Sequence, residues 1–223
     1  MKRIIALGLG TIFLAASAAA IPLAIASGSS SADNVADVAK LTGEGVPTQP
    51  LQQALKAYNW AKAKGAVKNT HYLTLIDFSL PSTAKRLWVI DLNTNQIVFN
   101  GVVSQGKNTG LNYATQFSNQ PGSDESSLGV YVTGDLFQGK HGTSLSVQGL
   151  EKGINNNANS RAIEFHPAPY ATPAFAQTNG HLGRSWGCFA VNPAYSTTLF
   201  QKIQGGSVVF AYAPQENSDP NFA

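Results

Sequence analysis

The chain has 223 residues, 43% of them hydrophobic and only 12% charged, with a formal net charge of +3. That apolar content excludes a disordered chain, and the scarcity of charged residues excludes a long solvated helical bundle or coiled coil. Lys2 and Arg3 open the chain, and residues 27–223 carry 13 basic against 12 acidic side chains with no basic cluster, so no nucleic-acid partner is expected.

Lys2-Arg3 precedes an uncharged run from Ile4 to Ala26 that ends in Ala24-Ile25-Ala26 and is followed by Ser27-Gly28-Ser29. A basic start, an apolar centre and an A-x-A exit form the signal-peptide pattern. Cleavage is expected after Ala26. The run is also long enough to span a bilayer, so membrane attachment is expected only if it stays uncleaved. Either way the remainder is expected to work outside the cytoplasm, in the periplasm or cell-wall space. The expected organisation is a signal peptide over 1–26, a flexible leader over 27–47, one domain over 48–215 and a tail over 216–223.

Thr48 to Ala63 has a helical face of Leu51, Ala54, Leu55, Tyr58 and Ala61, with Thr48 as N-cap and Gly65 as stop. From residue 71 the texture changes to short β-rich runs: Tyr72–Leu80, Arg86–Leu92 and Gln96–Ser104, the last two joined by a turn at Asn93-Thr94-Asn95. Residues 105–127, rich in Gly, Ser and Asn, predict a long loop too polar to be core. Further strands are expected at Leu128–Thr133, Leu145–Gln148, Ala162–Phe165, Cys188–Val191 and Ser207–Tyr212. A short helix over Ala194–Gln204 presents Tyr195, Leu199 and Ile203 on one face. Many closely spaced strands with two helices predict a mainly β, sandwich- or barrel-like single domain.

The chemistry converges on residues 160–193. The chain has one cysteine, Cys188, so an internal disulfide is impossible, and an unpaired thiol in an exported protein points to reactivity. His166 ends a strand candidate, where a sheet can hold an imidazole at a pocket edge and let it take the thiol proton. Gly187 allows close backbone approach, so the Gly187 and Cys188 amides are candidates for an oxyanion hole. Arg184 could grip a carboxylate or sit on the surface, and Trp186 could wall a pocket or pack as core. His71 has no evident role, His141 reads as structural, and His181 as a solvent-exposed loop residue. A zinc site of His166, His181 and Cys188 lacks the close ligand pairs of such sites, so no metal or cofactor is expected.

His166, a loop, then Ser185-Trp186-Gly187-Cys188 resembles the murein L,D-transpeptidases with a YkuD-type catalytic domain. So do the stretches Leu75–Ser82, Arg86–Asp91, Ser126–Tyr131, Gly139–Gly142 and Gly149–Ile154, and the likeness extends over about residues 50–213. The resemblance implies a Cys188 thioester formed on a peptidoglycan stem peptide with loss of D-alanine. An acceptor amine would resolve it into a 3→3 cross-link, or water would give L,D-carboxypeptidase activity. His166 would be the base, Ser185 and Gly187 would support the thiol, and donor and acceptor stems would be the partners. Three departures bear on pocket shape: Pro167 after the histidine, Trp186 where the family often has histidine, and Phe189 with an extra Asn192 before Pro193. Two other readings stand beside this one. A papain-like cysteine peptidase is disfavoured because His166 precedes Cys188, and a non-catalytic wall-binding protein has no need of a lone thiol.

Overall fold

The computed structural model describes residues 37–222; the expected signal peptide, and the leader up to residue 36, lie outside the described residues. Two helices come first, α1 (Val38–Gly43) and α2 (Thr48–Ala63). The strands β1 (Tyr72–Asp77), β2 (Leu87–Asp91), β3 (Gln96–Gly101), β4 (Gly129–Gly139), β5 (Gly142–Gly149) and β6 (Glu164–Pro167) follow. Then come α3 (Pro173–Asn179), β7 (Phe189–Val191), α4 (Pro193–Ile203), β8 (Val208–Tyr212) and a 3-10 turn, Pro214–Ser218. The eight strands form one sheet in the order β3-β2-β1-β8-β4-β5-β6-β7, antiparallel except for β1 with β8 and β6 with β7. The fold is mainly β, as the spacing of the β-rich runs predicts.

Strand residues alternate between two cores, the outcome expected when both faces of a sheet are covered. Leu73 and Leu75 of β1, Trp88 and Ile90 of β2, and Val208 and Phe210 of β8 meet the α2 face through Leu51, Ala54, Ala57 and Tyr58. Ile76, Leu87, Val89, Tyr131 and Val209 point the other way, where Leu199, Phe200 and Ile203 of α4 join them. This second core also takes in Phe165 of β6, Phe189 and Val191 of β7, and Val98 and Phe99 of β3. A flat sheet of eight strands would separate its edges by roughly 34 Å. Here the Phe99 ring of β3 lies 4.7 Å from that of Tyr195 in α4, and the Ser104 amide donates to the Ala190 carbonyl of β7 at 2.9 Å. The sheet therefore curls into a partial barrel whose edges are bridged by the chain leaving β3.

Several local details differ from expectation. Thr48 is the first residue of α2 and Pro47 takes the cap position, without a side-chain bond. Residues 38–47 of the expected flexible leader hold α1, capped by Asp37, and bury Leu41 and Val46 against α2. The tail is likewise packed: Phe222 lies edge-on to Trp60 and Phe210. The loop over 105–127 is polar yet not superficial, for Gln105, Thr109 and Ser126 are completely buried. Their side chains accept backbone or guanidinium donors (Gly106 N–H to Ser126 Oγ, Ser126 N–H to Thr109 Oγ1, Arg86 to Gln105 Oε1), which replaces the hydration they lose. Arg86 is itself fully buried, and its guanidinium also donates to the Leu80 and Val103 carbonyls.

Candidate active site

Parallel pairing of β6 with β7 sets the site. Phe165 aligns with Phe189 and His166 with Ala190. Phe165 and Phe189 face the core, so His166 and Ala190 share the opposite face; Cys188 is the residue just before β7 and packs partly against that core. His166 and Cys188 both line a cavity of about 530 Å³ together with Lys140, Arg161, Glu164 and Tyr170. Ser185, Trp186 and Arg184 line it too, so five of the six residues singled out in the sequence surround one space.

His166 is 2% exposed, and its Nδ1 lies 2.9 Å from the Pro167 carbonyl oxygen. A carbonyl only accepts, so Nδ1 carries the proton and Nε2 is left as the acceptor a general base requires. Burial is the main cause that lowers His166 from 6.5 to about 4. The Pro167 bond opposes this, and the charges of His141 and Lys140 add to it. Burial also pushes the Cys188 thiol up to about 11, although the Glu164 backbone, Lys140 and Arg161 pull it down. At rest the pair is a neutral imidazole and a neutral thiol.

The turn carrying Cys188 is held from three sides. Ser185 Oγ donates to the Cys188 carbonyl at 2.7 Å and accepts the Gly187 N–H at 3.1 Å. Ser126 Oγ, from the long loop, donates to the Gly187 carbonyl at 3.2 Å. Arg161 ties the same loop down through the Ser118 and Glu125 carbonyls. Gly187 has φ +115°, and a Cβ there would stand 2.6 Å from the Glu125 carbonyl oxygen, so glycine is required both by conformation and by space. The Gly187 amide, expected as an oxyanion donor, is already engaged by Ser185; of the two candidates the Cys188 amide is left.

Trp186 is 65% exposed, which excludes the core reading; its ring lies under Lys140 Nζ, 4.7 Å from the centroid. Arg184 is exposed at the cavity edge and donates to the Lys107 carbonyl at 3.0 Å. His181 is half-buried, bonded to the Leu182 carbonyl, and does not line the cavity. The sequence reading missed Lys140, Arg161, Glu164 and Tyr170, and took His141 as structural. His141 lines the cavity and stacks on His166. It is delivered by the tight turn between β4 and β5, placed beside β6 by the pairing of Leu145 with Phe165. The Gly139–Gly142 block was the available signal.

Among solved structures the chain is similar to an L,D-transpeptidase from Mycobacterium smegmatis (12% identity, 64% of this chain and 59% of that one, TM-score 0.40). It is also similar to an L,D-transpeptidase (Yku) from Stackebrandtia nassauensis (13% identity, 73% of this chain and 67% of that one, TM-score 0.37). The chain thus spans less than two thirds of the first of these. No curated protein matches it. The model of the L,D-transpeptidase catalytic domain (YkuD_2) matches residues 42–212, nearly the whole described fold, and the chain belongs to that family.

Proposed function

We propose that this chain is an exported cysteine acyltransferase that forms 3→3 cross-links between peptidoglycan stem peptides with release of D-alanine. The observation that carries the reading is the lining of one cavity by Cys188 and an Nδ1-anchored His166. Lys140, Arg161 and Arg184 around that cavity outnumber its one acid, Glu164, and suit a peptide bearing free carboxylates.

With the thiol near 11 and the imidazole near 4, a resting thiolate–imidazolium pair is disfavoured. The proton therefore passes from Sγ to Nε2 as Sγ bonds to the carbonyl carbon between the third and fourth stem residues. Charge that develops on the carbonyl oxygen falls to the Cys188 amide. The C–N bond then breaks, His166 returns the proton to the departing D-alanine amine, and a thioester remains. An amine of a second stem attacks the thioester, gives its proton to His166, and displaces Sγ, which is reprotonated. Water in place of the amine yields a tripeptide. The Lys2-Arg3 start, apolar run and Ala24-Ile25-Ala26 exit support export to the periplasm or cell-wall space.

Intact-mass measurement of the purified protein mixed with a disaccharide-tetrapeptide tests the first half of this scheme. An adduct equal to the donor less D-alanine is expected on the wild type and absent from Cys188→Ala. No adduct and no D-alanine from folded wild type would reject the acyl-enzyme.

A further inference from the structure

A second set of reactive groups lies away from the proposed catalytic cavity. Glu151, just after β5, Glu216 in the 3-10 turn, and Asp219 just after it are 1%, 4% and 5% exposed. One carboxylate oxygen from each lies within 4.8 Å of the others. Oxygens grouped this closely can reach one hard cation, for which calcium takes ligands at about 2.3–2.6 Å.

The arrangement is built. Val130 N–H donates to Glu151 Oε2, and Gly129, at φ +89°, leaves the room that a Cβ would take from that oxygen. The Asn155 side chain accepts from the Glu151 amide and donates to the Leu128 and Val130 carbonyls, fixing the Glu151 backbone to β4. The Asn221 amide donates to Asp219 Oδ1 at 2.7 Å, and Asn221 Nδ2 reaches Glu151 Oε1 at 3.5 Å. Glu216 Oε2 and Asp219 Oδ2 are buried and no donor group reaches either, the nearest polar company of Asp219 being the Glu151 carboxyl itself. Buried carboxylates are ordinarily paired, metal-bound or protonated. Among the described residues no cationic side chain acts on Glu151 or Glu216: burial and the neighbouring carboxylates together push both up to about 8.

We propose that Glu151, Glu216 and Asp219 form a binding site for a hard divalent cation, calcium above magnesium, which ties the C-terminal turn to the start of β4. Oxygen-only donors without histidine or thiolate select this class over zinc or copper. A cavity of about 350 Å³ opens onto Glu216 and Asp219, giving room for the water ligands that three carboxylates leave unfilled, and shares no lining residue with the Cys188 cavity. Calcium is preferred because it tolerates irregular coordination, whereas magnesium demands a near-ideal octahedron.

The test is calorimetric titration of the purified, chelator-stripped protein with calcium chloride and with magnesium chloride near pH 8, with thermal unfolding in parallel. About one calcium per chain is expected, with weaker magnesium binding. A rise in Tm of roughly 5–10 °C is expected at about a hundredfold excess over Kd. Glu216→Gln with Asp219→Asn keeps the shape of the two side chains and is expected to abolish both effects; Glu216→Gln alone serves if the pair does not fold. Absence of binding heat and of any Tm shift in folded wild type would overturn the site and leave a cluster of buried acids that binds no cation. Undiminished binding by the variants would overturn it equally.

Discussion

The imidazoles of His141 and His166 stack, with centroids 4.2 Å apart and planes 18° from parallel. His141 comes from the turn between β4 and β5, so the hairpin tip presses one face of the proposed base while the Pro167 carbonyl holds its Nδ1. An aromatic contact of this kind contributes about 0.5–1.5 kcal/mol, so His141→Ala is expected to lower kcat/KM about 2–12-fold. Burial is the largest cause that holds His166 near 4, and it weakens along with the His141 charge when that ring is removed. The acid limb of the pH–rate profile, where His166 gains a proton and ceases to be a base, therefore moves to higher pH. Unchanged rate and limb would show that His141 does not position His166.

How far the sequence reached can be judged from the same residues. Cys188 and His166 were legible because a solitary thiol is conspicuous in a chain whose start has the signal-peptide pattern, and each lies in or beside a short β-rich run. Their neighbours were not, since Lys140, His141 and Arg161 arrive through long-range pairing, β5 on β6, that no local periodicity encodes. The helix α3 carries a local signal in Thr172 before Pro173 and in Gly180, which closes it at φ +76°, but seven residues are too few for an apolar period to stand out from a loop. The acidic cluster joins residues 65 apart in the chain through the returning C-terminal turn, a contact that composition cannot reveal.

Cys188 reactivity reports the resting protonation state. With the thiol at about 11, alkylation by iodoacetamide is expected to be slow at neutral pH and to climb about tenfold per pH unit. Rates followed by intact mass from pH 6 to pH 10 check this. A plateau below about pH 9 would reveal a preformed thiolate–imidazolium pair instead.

Two glycine substitutions separate the site from the scaffold. Gly187→Ala brings a Cβ to 2.6 Å from the Glu125 oxygen and 2.9 Å from Ile163 Cδ1, so the Cys188 turn must move. A shift near 1 Å costs on the order of 100-fold in rate. Gly180→Ala, with φ +76° and nothing within 4 Å, strains the backbone by roughly 1–3 kcal/mol but leaves the turn alone. D-alanine release is expected to collapse in the first variant and persist in the second, with urea unfolding to show that both fold.

The acidic cluster has a pH signature in chelator. Glu216 is raised from 4.5 to about 8 in the folded protein, so between those values the folded state holds a proton that the unfolded chain has released. Stability due to this group is complete below about pH 4.5 and lost as pH rises through 8. Glu216→Gln has no such proton to lose. The variant is expected to match the wild type near pH 4.5 and to exceed it increasingly toward pH 8, as measured by urea denaturation in the presence of chelator. A constant difference across that range would contradict the raised value.

The central claim is that Cys188 passes a stem-peptide acyl group to an amine. It is tested most directly by product analysis of the purified protein turning over a disaccharide-tetrapeptide, read by mass spectrometry beside Cys188→Ala. A 3→3-linked dimer with stoichiometric D-alanine, both absent from the variant, is the predicted result. Tripeptide with D-alanine and no dimer would move the chain to hydrolysis. Dimer formed equally by Cys188→Ala, or no turnover by folded wild type, would contradict the account.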